Sequence, residues 1–169
     1  FPSYDGAGRL KRMVDPNGLE TLLDYWPRGW LKSRKVGNAA TGFETTSYEY
    51  DFTGQLKTVT MPDGSFVAYG YDDAHRLVSI EDGLGNRIAY TLDAAGNRIA
   101  EETFDPATSL VRAHSRVFDA LSRLSQDIGG TQPALQVTTS GYDANGNLVS
   151  TLDPLGRTST QLYDSRNRL

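Results

Sequence analysis

The chain has 169 residues, a formal net charge of −4 and no cysteine. This charge leaves no basic face for nucleic acid, and the lack of cysteine excludes disulfides and thiolate metal sites. Leu, Ile, Val and Phe together make up about a fifth of the sequence, too little for a thick globular core. No apolar run is long enough to cross a membrane. These properties favour a shallow, extended sheet over a compact domain.

A short module that begins with Tyr-Asp recurs at residues 4, 50, 71, 142 and 163, and three looser copies that start at residues 25, 92 and 118 fill the gaps. The steps of 21 to 26 residues indicate one supersecondary unit repeated in tandem, so residues 1–169 are predicted to form a single array without a second domain. The signature residues are, in chain order, Tyr4, Asp5, Gly8, Tyr50, Asp51, Gly54, Tyr71, Asp72, His75, Asp93, Gly96, Asp119, Tyr142, Asp143, Gly146, Tyr163 and Asp164.

Each unit contains two short runs with strand character, separated by turns. In two consecutive units the runs cover residues 56–61 and 66–71, then 76–81 and 87–92, and apolar residues alternate along them. The pattern predicts an all-β fold of roughly 14 to 16 antiparallel strands in one long, curved sheet, with neighbouring units adjacent. The longer units are expected to place their extra residues in hairpin loops near 37–42, 106–109 and 129–133.

The turn residues have a conformational explanation. The Asp of each Tyr-Asp pair can accept a backbone hydrogen bond two residues on, and Gly at the turn exit suits a left-handed backbone. His75 and Asn167 occupy the same slot and tolerate that conformation, whereas Ser122 is a less favourable substitute. A shared positive φ is therefore predicted for Gly8, Gly54, His75, Gly96, Gly146 and Asn167.

The module Tyr-Asp-x-x-Gly-Arg-Leu, followed in the units at 4 and 142 by Asp-Pro-x-Gly, resembles the RHS or YD repeat family over essentially the whole chain. The resemblance implies β-hairpins that pair side by side into a sheet that curls into a hollow shell. It also implies a non-catalytic wall segment that encloses a toxin domain of a large bacterial protein, secreted or delivered by a secretion system. The partners implied are neighbouring RHS repeats and the enclosed toxin domain, with no cofactor.

A binding module for carbohydrate or a cell surface is the alternative. Trp26 and Trp30 interrupt the repeat pattern and are the candidate ligand contacts, although regularly spaced aromatic residues more often pack across strands. The repeated Asp residues favour turn capping over calcium binding, because calcium loops cluster several acids within a dozen residues.

Other candidate sites receive structural interpretations. His75 is expected to serve the turn conformation, and His114 to face solvent or a neighbouring strand. The Asp105-Pro106 and Asp153-Pro154 pairs are interpreted as hairpin turns and not as self-cleavage sites. No sequence feature favours an enzyme. Open sheet edges near residues 4–15 and 158–169, in what we interpret as a segment of a longer protein, predict self-association.

Overall fold

The computed structural model describes residues 2–130 and 135–169, and within these ranges it contains fifteen β-strands and no helix. The strands are β1 (Ser3–Tyr4), β2 (Leu10–Val14), β3 (Glu20–Tyr25), β4 (Leu31–Asn38), β5 (Gly42–Tyr50), β6 (Leu56–Thr60), β7 (Phe66–Tyr71), β8 (Leu77–Asp82), β9 (Arg87–Leu92), β10 (Arg98–Phe104), β11 (Leu110–Phe118), β12 (Leu124–Gly129), β13 (Gln136–Tyr142), β14 (Leu148–Leu152) and β15 (Thr158–Thr160). The predicted all-β class and strand number are confirmed.

The strands follow one another in the sheet in sequence order, from β1 to β15. Neighbouring strands run antiparallel, for example β3 with β4 and β10 with β11. The chain divides into two compact parts, each of which contains several repeat units. One comprises the described residues up to His75 together with Ile80–Leu84, and the other comprises the described residues of Arg76–Ser79 and Gly85–Leu169. Sequential pairing of hairpins, as the repeat predicted, is confirmed.

The sheet has almost no interior. Among the described residues, Val59 is the only buried hydrophobic side chain and Thr21 the only buried polar one, at 7% and 8% exposure. Most strand residues are half-buried. Stability therefore comes mainly from the backbone ladder and from cross-strand side-chain pairs, whose contributions are about 0.2–1 kcal/mol each. The expectation of a shallow sheet is confirmed for these residues.

The expectation of long loops in the longer units was wrong at two of its three places. β4 and β5 run to eight and nine residues, so that only Ala39, Ala40 and Thr41 separate them. The segment 106–109 belongs to an ordinary turn, and the extra length lies in the nine-residue β11. Extending a paired strand adds backbone hydrogen bonds, which a longer loop does not. The third place, 129–133, lies largely outside the described residues.

The two outermost strands of the sheet are very short. β1 has two residues and β15 has three, and each is paired on one side only. Self-association through these edges stays a prediction, because unpaired N–H and C=O groups recruit further strands even where a short strand weakens the template. We expect the chain to form oligomers in light scattering and Thr160→Pro to shift it toward monomer. A monomer at high concentration, unchanged by Thr160→Pro, would contradict this.

Candidate functional site

The Tyr-Asp module is built around one carboxylate. In the first unit, Asp5 Oδ1 accepts hydrogen bonds from the backbone N–H groups of Ala7 and Arg9, both at 2.9 Å. Asp5 Oδ2 accepts from Arg9 Nε at 2.7 Å, and the Gly8 N–H donates to the Asp5 carbonyl at 3.0 Å. The single side chain thus closes the turn and fixes the arginine beside it.

The same cap recurs along the chain. The backbone N–H four residues after the Asp donates to its Oδ1 in the turns that begin at Asp15, Asp51, Asp93, Asp105, Asp119, Asp143, Asp153 and Asp164. Turn capping is thereby established for these carboxylates. Among the described residues no group of three or more His, Cys, Asp or Glu side chains could hold a metal ion.

Positive φ at the turn exit is confirmed at all six predicted positions. Among them, His75 has φ 63° and Asn167 has φ 57°. Ser122, the less favourable substitute, also adopts φ 58°. Thr108 was missed by sequence reasoning: it has φ 64° at the position that Gly holds in the other Asp-Pro turns. Its place in the turn signature was the available signal, although a β-branched residue rarely adopts this conformation.

Three repeat tyrosines connect their unit to the preceding one. The hydroxyl of Tyr71 donates to the Leu56 carbonyl at 3.0 Å, and that of Tyr142 donates to the Leu124 carbonyl at 2.9 Å. The Tyr25 hydroxyl makes the equivalent bond to the Leu10 carbonyl at 2.8 Å. The Leu is in each case the first strand residue after the preceding turn, so the tyrosine joins consecutive units.

A second connection comes from the residue five positions after each repeat start, which we call the ladder residue. Arg9 stacks over the Tyr25 ring at 4.7 Å, and Arg123 over the Tyr142 ring at 4.6 Å. Polar ladder residues reach the next turn by hydrogen bonds: Gln55 to the His75 carbonyl, Arg76 to the Asp93 carbonyl, Asn97 to Ser122 Oγ and Asn147 to Asn167 Oδ1. The turns therefore form a lateral ladder in which each unit is completed by its successor.

His75 takes part in this ladder, since its Nδ1 lies 2.8 Å from Gln55 Oε1. The backbone requirement at φ 63° nevertheless dominates. We expect His75→Gly to be neutral or mildly stabilising, and His75→Val to destabilise the fold by roughly 1 kcal/mol or more. Chemical denaturation measures both variants. Equal stability of the Gly and Val variants would show that the turn conformation does not constrain this residue.

Hydrogen bonds within the turns lower the pKa of eight turn carboxylates. Backbone N–H donation from the arginine four residues on is the leading cause that lowers the pKa of Asp5, Asp119 and Asp153. A side-chain donor leads at the others whose pKa is lowered, which are Asp51, Asp63, Asp93, Asp143 and Asp164.

These lowered pKa values predict acid sensitivity. A carboxyl group whose pKa is lower in the folded state stabilises the fold above its unfolded value, about 4, and this contribution is lost as pH falls through the folded-state value. We expect the melting temperature to fall steadily below about pH 4, and Asp119→Asn to reduce the size of that fall. Circular dichroism melts at stepped pH measure this; a melting temperature that stays constant down to pH 3 would contradict it.

The unit at residue 25 departs from the module at two positions. Trp26 stands in the capping Asp slot and Trp30 in the ladder slot. The turn backbone is unchanged, because the Trp26 N–H donates to the Trp30 carbonyl and the Gly29 N–H to the Trp26 carbonyl, both at 2.8 Å. The turn thus keeps its shape without the carboxylate, and two indoles occupy the positions of an ion pair.

The two indoles form one side of an open cleft of about 470 Å³. Trp30 packs against Tyr50 with ring centroids 5.4 Å apart, and the Trp26 indole N–H donates to the Tyr48 carbonyl at 3.2 Å. Trp26 remains 37% exposed. Burial is the main cause that raises the pKa of the Tyr50 phenol. The structure thus brings both sequence-predicted tryptophans together at one surface feature.

Two cationic side chains, Arg28 and Lys57, line this cleft together with the single carboxylate Glu49. The Arg28 guanidinium lies 5.4 Å from the Trp30 ring and donates to the Phe52 carbonyl at 2.9 Å. Lys32 Nζ lies 5.0 Å from the Trp26 ring and 3.8 Å from Asp24 Oδ2, so the excess of positive charge comes from Arg28 and Lys57. The cleft is therefore aromatic at its wall and positive around it, on a chain whose net charge is −4.

His114 was predicted to face either solvent or a neighbouring strand, and it contacts a neighbouring strand. Its Nε2 pairs with Asp127 Oδ1 across β11 and β12, and Arg116 Nη2 lies 3.3 Å from its Nδ1. Sequence reasoning missed this pair, because cross-strand register decides which side chains meet. The Asp105 and Asp153 turns close through the N–H of the Asp and the carbonyl four residues on, which confirms their interpretation as hairpin turns.

A sequence model of the RHS Repeat family matches residues 4–65, 71–106 and 142–169. The chain belongs to the RHS repeat family. Within the described residues, the structure has no helix of the length and apolarity needed to span a membrane.

Two relatives carry toxin or nuclease names. The chain is 31% identical over 153 residues to the double-stranded DNA deaminase toxin A of Burkholderia cenocepacia, which covers 90% of the chain and 10% of the toxin. It is 32% identical over 107 residues to the tRNA(Glu)-specific nuclease WapA of Bacillus subtilis subsp. natto, covering 61% of the chain and 4% of the nuclease. The chain spans a tenth or less of these relatives.

Solved Tc-toxin structures have the same fold. The crystal structure of TcdB2-TccC3-Cdc42 matches with a TM-score of 0.84 at 20% identity, over 99% of the chain and 10% of the matched chain. The structure of the Photorhabdus luminescens Tc holotoxin pore matches with a TM-score of 0.79 at 20% identity, over 95% of the chain and 9% of the matched chain. The all-β array of RHS hairpins is thereby placed among known folds.

Proposed function

We propose that the chain is a non-catalytic wall segment of an RHS-repeat shell, and that this shell encloses a toxin domain of a larger bacterial protein that is secreted or delivered to a target cell. The observation that carries the proposal is the lateral ladder. Each repeat unit is completed by contacts from its neighbour, as expected for a sheet that is extended by adding further units. The described part of the sheet also has almost no buried core of its own.

The names of the relatives support the toxin context. A deaminase toxin and a tRNA nuclease share this repeat segment, yet the segment covers only 10% and 4% of their lengths. A segment shared by relatives that are named for unrelated chemistries fits a common container better than a common active site. The fold similarity to Tc-toxin chains agrees with this assignment.

The half-exposed strands also suit a wall. Neighbouring residues of a strand point to opposite faces, and in β5 the neighbours Thr46 and Ser47 are both half-buried. A thin sheet of this kind leaves both faces accessible in the isolated chain. Enclosure in the parent protein would make one face inaccessible to large molecules while it leaves the other unchanged.

Labelling of single cysteines tests the proposal, and the chain provides a clean background because it has no cysteine. We expect Thr46→Cys and Ser47→Cys to react equally with a bulky poly(ethylene glycol) maleimide in the isolated chain. In the parent protein, cleared of other cysteines, only one of them should react with the bulky reagent, while both react with a small maleimide. Equal reaction of both positions with the bulky reagent in the parent would overturn the enclosed-wall assignment.

A further inference from the structure

We propose that the Trp26–Trp30 cleft is a docking site for an acidic polypeptide segment that carries an aromatic side chain. This inference goes beyond the wall function, because it concerns a surface feature of one unit and does not require a closed shell. It rests on Trp26 and Trp30, the two positions at which the unit that starts at residue 25 departs from the module.

The first argument is that the turn does not need the tryptophans. An Asp cap and an Arg ladder residue close the equivalent turn in the units at 4, 118 and 163, with Arg Nε or Nη2 within 2.8 Å of the carboxylate. Trp26 provides no carboxylate for the N–H groups of its turn. A unit that gives up local hydrogen bonds for two indoles, one of them 37% exposed, departs from the rule in the way that functional positions do.

The second argument concerns the kind of ligand. Trp, Tyr and Arg are the residue types that dominate binding energy at protein interfaces, and Trp26, Trp30, Tyr50 and Arg28 all line this cleft. A sugar hydroxyl both donates and accepts hydrogen bonds, whereas the charged groups of this lining are two cationic donors, Arg28 and Lys57, and one acceptor carboxylate, Glu49. The lining therefore fits an aromatic side chain of a peptide better than a sugar ring.

The third argument is charge complementarity. Arg28 and Lys57 line the cleft and Glu49 is the one lining acid, while the nearby Lys32 lies over the Trp26 ring and pairs with Asp24. A guanidinium has five N–H donors, and the Phe52 carbonyl accepts one bond from Arg28. A carboxylate next to the bound aromatic ring can be held by the same guanidinium, since Arg recognises carboxylates through paired donors. A peptide with acidic residues on either side of its aromatic residue would therefore complement both the charge and the aromatic lining of the cleft.

The two tryptophans are the only ones in the sequence, so tryptophan fluorescence, excited at a wavelength that the tyrosines do not absorb, reports on this cleft alone. We expect the blocked tripeptide Asp-Phe-Asp to change the fluorescence saturably, with a dissociation constant of about 1 mM or tighter. The matched peptides Asp-Ala-Asp and Lys-Phe-Lys should bind about tenfold more weakly, because each lacks one half of the recognised chemistry. The variants Arg28→Gln and Lys57→Gln keep both tryptophans and should weaken Asp-Phe-Asp binding by about fivefold or more.

The double variant Trp26→Asp with Trp30→Arg provides the decisive control. It restores the module of the other units, so the turn should stay folded by circular dichroism while binding of Asp-Phe-Asp, measured by calorimetry, disappears. Binding that survives in this variant would overturn the proposal. So would equal affinity for Lys-Phe-Lys, no saturable response to any peptide, or tighter binding of a glucuronic acid disaccharide than of Asp-Phe-Asp, which would assign the cleft to glycans. The wall assignment is untouched by each of these results.

Discussion

Gly37→Ala is expected to unfold or severely destabilise the β4–β5 hairpin. A Cβ atom at Gly37 would overlap the Gly42 carbonyl oxygen and lie 2.8 Å from Phe43 Cα, and both are backbone atoms that cannot rotate away. Gly37 pairs with Phe43 just before the short connection to β5, so the strands would have to separate. Overpacking of this kind costs about 3 kcal/mol or more. Denaturant unfolding followed by circular dichroism measures the loss.

Gly129→Ala is the matched control for this substitution. Gly129 also lies in a strand and pairs on both sides, yet no described atom lies within 4 Å of a Cβ atom placed there. Replacing a strand glycine by alanine without a clash is expected to be neutral or to stabilise by up to about 1 kcal/mol. If Gly37→Ala and Gly129→Ala have the same stability, the close strand approach at Gly37 is wrong.

Gly54→Ala is expected to destabilise the fold by about 2–4 kcal/mol, the combined result of two effects. Gly54 has φ +97°, which opposes any side chain, and its Cβ would lie 2.6 Å from Trp30 Cζ2. The clash with Trp30 arises because the ladder residue of the preceding unit is this tryptophan, whose indole lies against the Gly54 backbone. Chemical denaturation of the variant measures the sum of both effects.

A double-mutant cycle separates these effects. Gly64→Ala isolates the backbone effect, because Gly64 has φ +85° and no atom of the described residues lies within 4 Å of a Cβ placed there, so only about 1–2 kcal/mol should be lost. Introducing Gly54→Ala into a Trp30→Ala background should cost the same smaller amount, since the indole is gone. An undiminished loss in that background would mean that Trp30 does not pack on the turn.

The repeat could be predicted from sequence because its determinants are local. Turn chemistry at Asp5 and Gly8, and alternation along residues 66–71, depend on a few neighbouring residues, and the structure places turns and strands there. Contacts that depend on strand register could not be predicted. The tyrosine bond to the preceding Leu carbonyl and the His114–Asp127 pair join residues 13 to 18 positions apart, and no local signal specifies them.

The candidate site was predicted only in part. The departure of Trp26 and Trp30 from the repeat was visible in the sequence, but their meeting with Tyr50, Arg28 and Lys57 follows from the pairing of strands. In the longer repeat units, the sequence interpretation predicted loops where the structure has strands. Residues near 37–42 were predicted as a loop because their unit is longer than the others, whereas Gly37 and Gly42 lie in strands, the first in a close strand approach and the second at positive φ.

Electron cryo-microscopy of the parent protein tests the central claim most directly. The wall assignment predicts that the strands from β1 to β15 appear side by side within a continuous RHS wall, with neighbouring repeats paired at both outer strands and density for a further domain inside. A map in which this segment forms an open surface, with no enclosed domain and with its faces in contact with solvent or a cell-surface partner, would contradict the account.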